Sequence, residues 1–260
     1  MKGIVAFLFL SVFATGLSAQ TTVPPGTVLP VRLNSSVSSA TSKPEQTVTA
    51  RIMQDVRLPG GLRIHKGAEV LGHLVKLVPA SGNSPAQMIL TFDELRLPDR
   101  TVPLQTSLRA VASNLEVTDA QTPKSFDDAT ASTYATTTLV GGEVAYRSGG
   151  HVMNGDTVVG EPIYGGVLSR TRANLDKGCR GTVGGNDEPQ SLWVFSSDAC
   201  GAYGVPHLTI THAGRRDPKG EIVLTSENKP HPKGAKRQWD AASCALTKLP
   251  RKNDQDATRN

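Results

Sequence analysis

His207 and His212 stand five positions apart around Leu-Thr-Ile-Thr, with Asp198 and Cys200 just upstream. Imidazoles near a thiol are the parts of a metal site or of a Cys–His nucleophile. If the intervening residues form a strand, side chains five apart face opposite sides, so the two histidines make a poor metal pair and read as surface or turn residues. No C-x-x-C or C-x-x-H spacing surrounds Cys179, Cys200 or Cys244, which argues against a metal centre built on them. Asp93-Glu94 and Asp127-Asp128 are adjacent carboxylates; neighbours on a strand point apart and cannot share acid–base work, so both pairs read as solvated or turn-forming. "SSDACGAYG" offers a serine without the Gly-x-Ser-x-Gly elbow of a hydrolase. Trp193 and Tyr203 with His207 and His212 form a candidate ligand surface, and Trp239 is a further ring that could stack on a sugar. In a chain with 5% aromatic residues these rings are better spent anchoring a second core. No catalytic residue, cofactor-binding residue or metal ligand is assigned, no cofactor is expected, and the chain is read as non-enzymatic.

The stretch "GLRIHKGAEVLGHLVKL", residues 61–77, poses a second chemical question. A Gly-x-x-x-x-Gly spacing can cradle a phosphate, but that loop needs a helix after it and Lys-Ser or Lys-Thr at its end. Here Gly72 is followed by His73 and Leu74, and the composition stays strand-like. The better reading ends a strand at Ile64, turns at Lys66-Gly67 with positive φ at Gly67, and places Gly72 inside the next strand at a bulge or bend. An interior glycine of that kind lets a small sheet curve into a barrel.

The elements around these residues are short strands. Val31 and Leu33 alternate with Arg32 and Asn34; Val48, Ala50 and Ile52 alternate with Thr49, Arg51 and Met53. Met88, Leu90 and Phe92 share one side of a strand, as do Val102, Leu104, Thr106 and Leu108 in "TVPLQTSLRA". "SKPEQ", "LPGG", "PASGNSP" and "LPDRT" have turn composition. The fold class is therefore mostly β: a small β-barrel over residues 23–112, followed by a second β-rich, glycine-rich region over residues 139–249 with Gly-Gly pairs at Gly141, Gly149 and Gly165. Residues 113–138 read as a polar linker in which "DDATASTYA" is predicted to form a short helix. "AASCALTKL" reads as a helical turn or a strand, and residues 250–260 as a disordered tail.

The order "PPGTVLPVRL", "VTARIMQDV", "GLRIHKGAEVLGHLV", "LTFDELRLPDRTVPL" resembles the C-terminal barrel of TrbI-type proteins of conjugation and type IV secretion channels. Pro25, Gly26 and Thr27 match that family's opening, and Asp55 with Val56 its strand end. Ile64, Lys66, Gly67 and Gly72 match its corner, with His65 in place of the usual proline. Leu95, Leu97 and Asp99 match its hairpin, with Arg100 in place of glycine. The resemblance covers residues 24–108 and implies a barrel module of the cell envelope. The family's cytoplasmic start, membrane helix and Pro-rich stretch are replaced here by a different beginning.

That beginning is Lys2 followed by the apolar "IVAFLFLSVFA" and the small-residue exit "TGLSAQ", a signal peptide pattern over residues 1–19. The apolar run is shorter than the roughly 20 residues of a spanning helix. The expected location is the periplasm or outer envelope of a bacterium, or outside the cell. The net charge of +5 is scattered until the C-terminal region, and export disfavours a nucleic-acid partner. The expected partner is an envelope protein or glycan, with membrane association only through partners. The alternative function is a secreted carbohydrate- or ligand-binding protein using the second region. In an oxidising compartment, three cysteines predict one disulfide, assigned to Cys179 and Cys200 beside Gly178 and Gly201, with Cys244 left over.

Overall fold

The computed structural model describes residues 22–35, 37–38, 42–59, 63–121, 134–147, 152–154, 157–160, 175–176, 178, 191–196, 199–217, 219–226, 238–239 and 241–250. The first half carries β1 (Val28–Leu33), β2 (Val37–Ser38), β3 (Thr47–Ile52), β4 (Val56–Arg57), β5 (Arg63–Ile64), β6 (Glu69–Val78), β7 (Ala86–Arg96), β8 (Thr101–Pro103) and β9 (Thr106–Ser113), then α1 (Asn114–Gln121). The second half carries β10 (Tyr134–Leu139), β11 (Gly142–Arg147), β12 (Val152–Asn154), β13 (Thr157–Gly160), β14 (Ser191–Leu192), β15 (Phe195–Ser196), β16 (Gly201–Tyr203), β17 (Leu208–Thr211), β18 (Ile222–Ser226), β19 (Gln238–Trp239) and β20 (Ala241–Lys248). The fold is mostly β, and its main sheet is a nearly closed barrel.

The strand order of that sheet is β16-β9-β20-β1-β3-β6-β7-β18-β17, with β8 beside β7. This redraws the division into two β regions. β20 lies between β1 and β9, and β18 and β17 extend the sheet past β7, so strands from both halves share one ladder system. The reason is interior volume: Leu208, Ile210, Ile222, Leu224, Cys244 and Leu246 join the N-terminal strands in one buried cluster. "AASCALTKL" is a central strand, and Cys244, placed by sequence in the polar C-terminal part, is buried and free. "TVPLQTSLRA" is two strands, because the chain leaves β7 after Pro103 and crosses to β20 from Thr106. The "DDATASTYA" helix fails at its end, where Tyr134 and Ala135 belong to β10; residues 122–133 lie outside those described.

The strands facing water alternate as read. Val48, Ala50 and Ile52 of β3 and Met88, Leu90 and Phe92 of β7 point inward, each worth about 1.5–3 kcal/mol for the larger side chains. The strands β1, β20 and β9 are instead covered on both faces. Their outer residues Val28, Ala110, Ala112 and Ala245 form a second cluster with Val117 of α1 and with Trp193, Val194 and Phe195. α1 lies within the predicted linker and is capped at its start by Ser113. Ser113 Oγ accepts the Glu116 N–H at 3.3 Å, satisfying a donor that the first helical turn leaves open.

Of the residues behind the family resemblance, Val56, Ile64, Gly72 and Leu95 lie in strands and the following sit at turns. Gly26 has φ +85°, its N–H reaches the Lys248 carbonyl at 2.8 Å, and Thr27 Oγ1 donates to Pro24 O at 2.7 Å. Leu97 and Arg100 close the turn from β7 to β8. At the corner, Gly67 has φ +92° and the Ala68 N–H reaches the His65 carbonyl at 3.2 Å. The turn joins β5, which pairs with β4, to β6, which pairs with β3, so it is a corner between two ladders. A Cβ on Gly67 would meet nothing within 4 Å. Gly67→Ala is therefore expected to lose about 1 kcal/mol, from backbone strain alone. A urea midpoint matching wild type would show that the strain is absent.

Candidate functional site

Gly72 shapes the most chemically loaded part of the described surface. In the β6–β7 ladder Leu71 faces Glu94 while Gly72 faces Phe92, which leaves Asp93 as the extra residue of a bulge. A Cβ on Gly72 would lie 1.8 Å from the Thr91 carbonyl oxygen, so only glycine lets the strands approach. The bulge also changes the facing expected of Asp93-Glu94, while the pair is solvated as read. Phe92 and Leu95 on either side are both buried, which sends both carboxylates to the outer face. Asp93 Oδ2 lies 3.0 Å from His73 Nδ1, and Arg96 Nε donates to Glu94 Oε1 at 2.7 Å. Arg96 Nη1 adds a 3.4 Å contact to Glu69 Oε2. The hydrogen bond to Glu94, with both acids nearby, holds the Arg96 guanidinium above its ordinary value.

Thr91, His73 and Asp93 have the composition of a nucleophilic triad without its wiring. Thr91 Oγ1 is 3.4 Å from His73 Nδ1, the same ring nitrogen that meets Asp93. A proton relay needs hydroxyl and carboxylate on opposite nitrogens of the ring. The cluster, with the neighbouring Glu69–Arg96–Glu94 contacts, is a half-exposed polar patch of the outer face rather than a relay.

Asp55 performs a different task at the corner. Its Oδ1 accepts the Lys66 N–H at 2.8 Å and its Oδ2 accepts from Arg63 Nη1 at 3.0 Å, with His65 Nδ1 at 3.7 Å. The Lys66 N–H holds its carboxyl below the ordinary value; burial opposes this, and Arg63 and His65 add to the lowering. A depressed carboxyl adds stability at pH above the unfolded value and loses it as pH falls through the folded one. The carboxylate is one-third exposed, so screening keeps the effect modest. Asp55→Asn is expected to cost about 1 kcal/mol at neutral pH, and the gap to wild type should narrow when urea unfolding is repeated at about pH 3. A gap independent of pH would remove the carboxylate from this role.

The candidate ligand surface does not assemble. Trp193 is buried in the second cluster, and its backbone N–H donates to Gln54 Oε1 at 2.6 Å. Tyr203 is partly buried, and its hydroxyl bridges the Cys200 N–H and carbonyl at 2.9 and 3.1 Å. His207 and His212 are exposed at opposite ends of β17 with φ of 64° and 55°, left-handed positions that histidine tolerates better than most residues. Trp239 lies on β19, where its backbone pairs with Val37 of β2. Among the described residues no group of three or more His, Cys, Asp or Glu is placed to hold a metal. No family model matches this chain, and no curated protein matches it.

The barrel interior is equally informative. A cavity of about 30 Å³ lies among Leu33, Val37, Met88, Phe92, Ile222 and Cys244. Its lining is apolar and its size is far below the roughly 300 Å³ at which ligand pockets begin. Burial pushes the Cys244 thiol up to about 12, so it stays protonated and unreactive. Sequence reasoning passed over Arg109, whose guanidinium is buried at 1% exposure outside the barrel. The signal was a single basic residue inside the apolar "SLRAVA". It also passed over the His73–Asp93 pair, which depends on a bulge.

Proposed function

We propose that this chain is an exported, non-enzymatic protein of the bacterial cell envelope, a β-barrel module that binds another envelope component or helps an assembly. The observation that carries this reading is the difference between the barrel's two outer faces. The face of β1, β20 and β9 is covered by the chain's own α1 and β14–β15. The face around β6 and β7 is left to water and carries the His73–Asp93 and Glu69–Arg96–Glu94 groups. A barrel with a filled interior and a polar outer strip acts by surface contact, where such charges set partner choice and approach rate. The turn residues shared with TrbI-type barrels and the signal peptide pattern support an envelope role. They extend the proposal to a relationship with secretion or conjugation machinery. The buried Trp193 takes the sugar-stacking platform away from the carbohydrate-binding alternative.

The test combines fractionation with photo-crosslinking from the Lys76 position in the source cells. A mature chain lacking its first residues by mass spectrometry, crosslinked to one envelope protein and released by Arg96→Glu, is the expected result. An intact Met1 terminus, or crosslinks unaffected by the charge reversal, would overturn it.

A further inference from the structure

Arg109 joins two distant parts of the chain. It protrudes from β9, is 1% exposed, and donates from Nε to the Ala199 carbonyl at 3.1 Å and from Nη1 to the Gly178 carbonyl at 3.0 Å. These two carbonyls belong to the peptide bonds that lead into Cys200 and Cys179. One rigid guanidinium fork therefore holds both peptide bonds. On the Cys200 side the backbone is fixed further by the Tyr203 hydroxyl and by Gly201 at φ +104°. On the other side Gly178 has φ +54° and lies so close to Arg215 that an added Cβ would stand 2.5 Å from its Cγ. The competing thiol, Cys244, is buried in β20 between β1 and β9.

We propose that Arg109 is a positioning residue for oxidation: it brings together the backbone segments that lead into Cys179 and Cys200, and so selects that pair over any bond to Cys244. This rests on the reading that the chain is exported to an oxidising compartment. The two thiols lose two protons and two electrons, forming one S–S bond, and a disulfide oxidant such as glutathione disulfide is reduced to two thiols. The hydrogen bonds of Arg109 do not take part in the exchange. They shorten the search by raising the local concentration of one thiol near the other.

The test is re-oxidation of the reduced full-length chain by glutathione disulfide, followed by non-reducing peptide mapping, for wild type, Arg109→Lys and Arg109→Gln. Wild type should form the Cys179–Cys200 peptide as its main monomeric product. Arg109→Gln should form it about tenfold more slowly, as loss of charge-assisted hydrogen bonds implies, and with mixed pairings, and Arg109→Lys should fall between. Equal rates and pairings in all three would overturn the role of Arg109 alone. A wild-type map dominated by a Cys244 peptide would overturn the pairing itself. If Arg109→Gln fails to fold, wild type is reduced without denaturant and re-oxidised with and without urea. Re-oxidation about tenfold faster in the folded state supports positioning, and equal rates overturn it.

Discussion

Gly72→Ala is expected to cost about 3 kcal/mol or more, the upper end for overpacking a tight site. The residue needs no left-handed backbone, so strain in φ contributes nothing. The penalty comes from the added methyl, which would meet backbone: Thr91 O at 1.8 Å, Thr91 C at 2.7 Å and Phe92 Cα at 2.9 Å. A side chain can rotate away, but a paired strand can yield only by breaking its ladder with β6. Gly67→Ala, with open space around its Cβ and a strained φ, is the control. The ratio of the two losses, read from urea unfolding, separates steric from conformational cost. Equal losses would show that β7 can move aside. A second readout is the outer face: separating β6 from β7 should also part His73 Nδ1 from Asp93 Oδ2, now 3.0 Å apart, visible as a change in the His73 ring chemical shifts by NMR at constant pH.

The larger effect is expected from truncation. Residues 22–121 expressed alone should show no cooperative unfolding transition. Removing the C-terminal half takes β20 from between β1 and β9, ending the pairing of Val28 to Arg32 on one side and Thr106 to Ser113 on the other. It also strips Leu208, Ile210, Ile222, Leu224 and Leu246 from the interior. Domains keep only about 5–15 kcal/mol of net stability, and losing several core side chains at about 1.5–3 kcal/mol each exceeds it. Adding residues 191–250 as a separate chain should restore some structure if pairing is specific. A cooperative transition in the fragment would mean that the N-terminal strands close on themselves, contrary to the single-sheet topology.

The misreading of the domain boundary has a definite cause. Alternation in β3 and β7 reports which face is buried, and both were legible because one face meets water. β1, β9 and β20 are covered on both faces over much of their length, so the alternation read at Val31 and Leu33 and at Thr106 and Leu108 does not tell which strands lie beside them. Pairing β20 with β1 joins residues more than two hundred positions apart, and only the shared interior specifies it. The same limit applies to the surface. Asp93 and Glu94 point to opposite sides in a regular strand; the bulge opposite Gly72 turned both outward and created the His73–Asp93 contact. α1 carries a start signal in Ser113 and Glu116, but it has little apolar periodicity and only Val117 of it is buried, so its sequence resembles the polar stretch that follows.

By itself the sequence determined the β class, the turn chemistry at Gly26, Gly67 and Leu97 to Arg100, and the burial of the alternating strands. These follow from local sterics and from a period of two, which act within a few residues. Tertiary structure alone decided that the two halves share one barrel, that Cys244 is buried in a central strand, and that Arg109 grips the carbonyls of Gly178 and Ala199. Those outcomes depend on which distant side chains fill a common volume and which buried donors must find acceptors, and neither is encoded by neighbours along the chain.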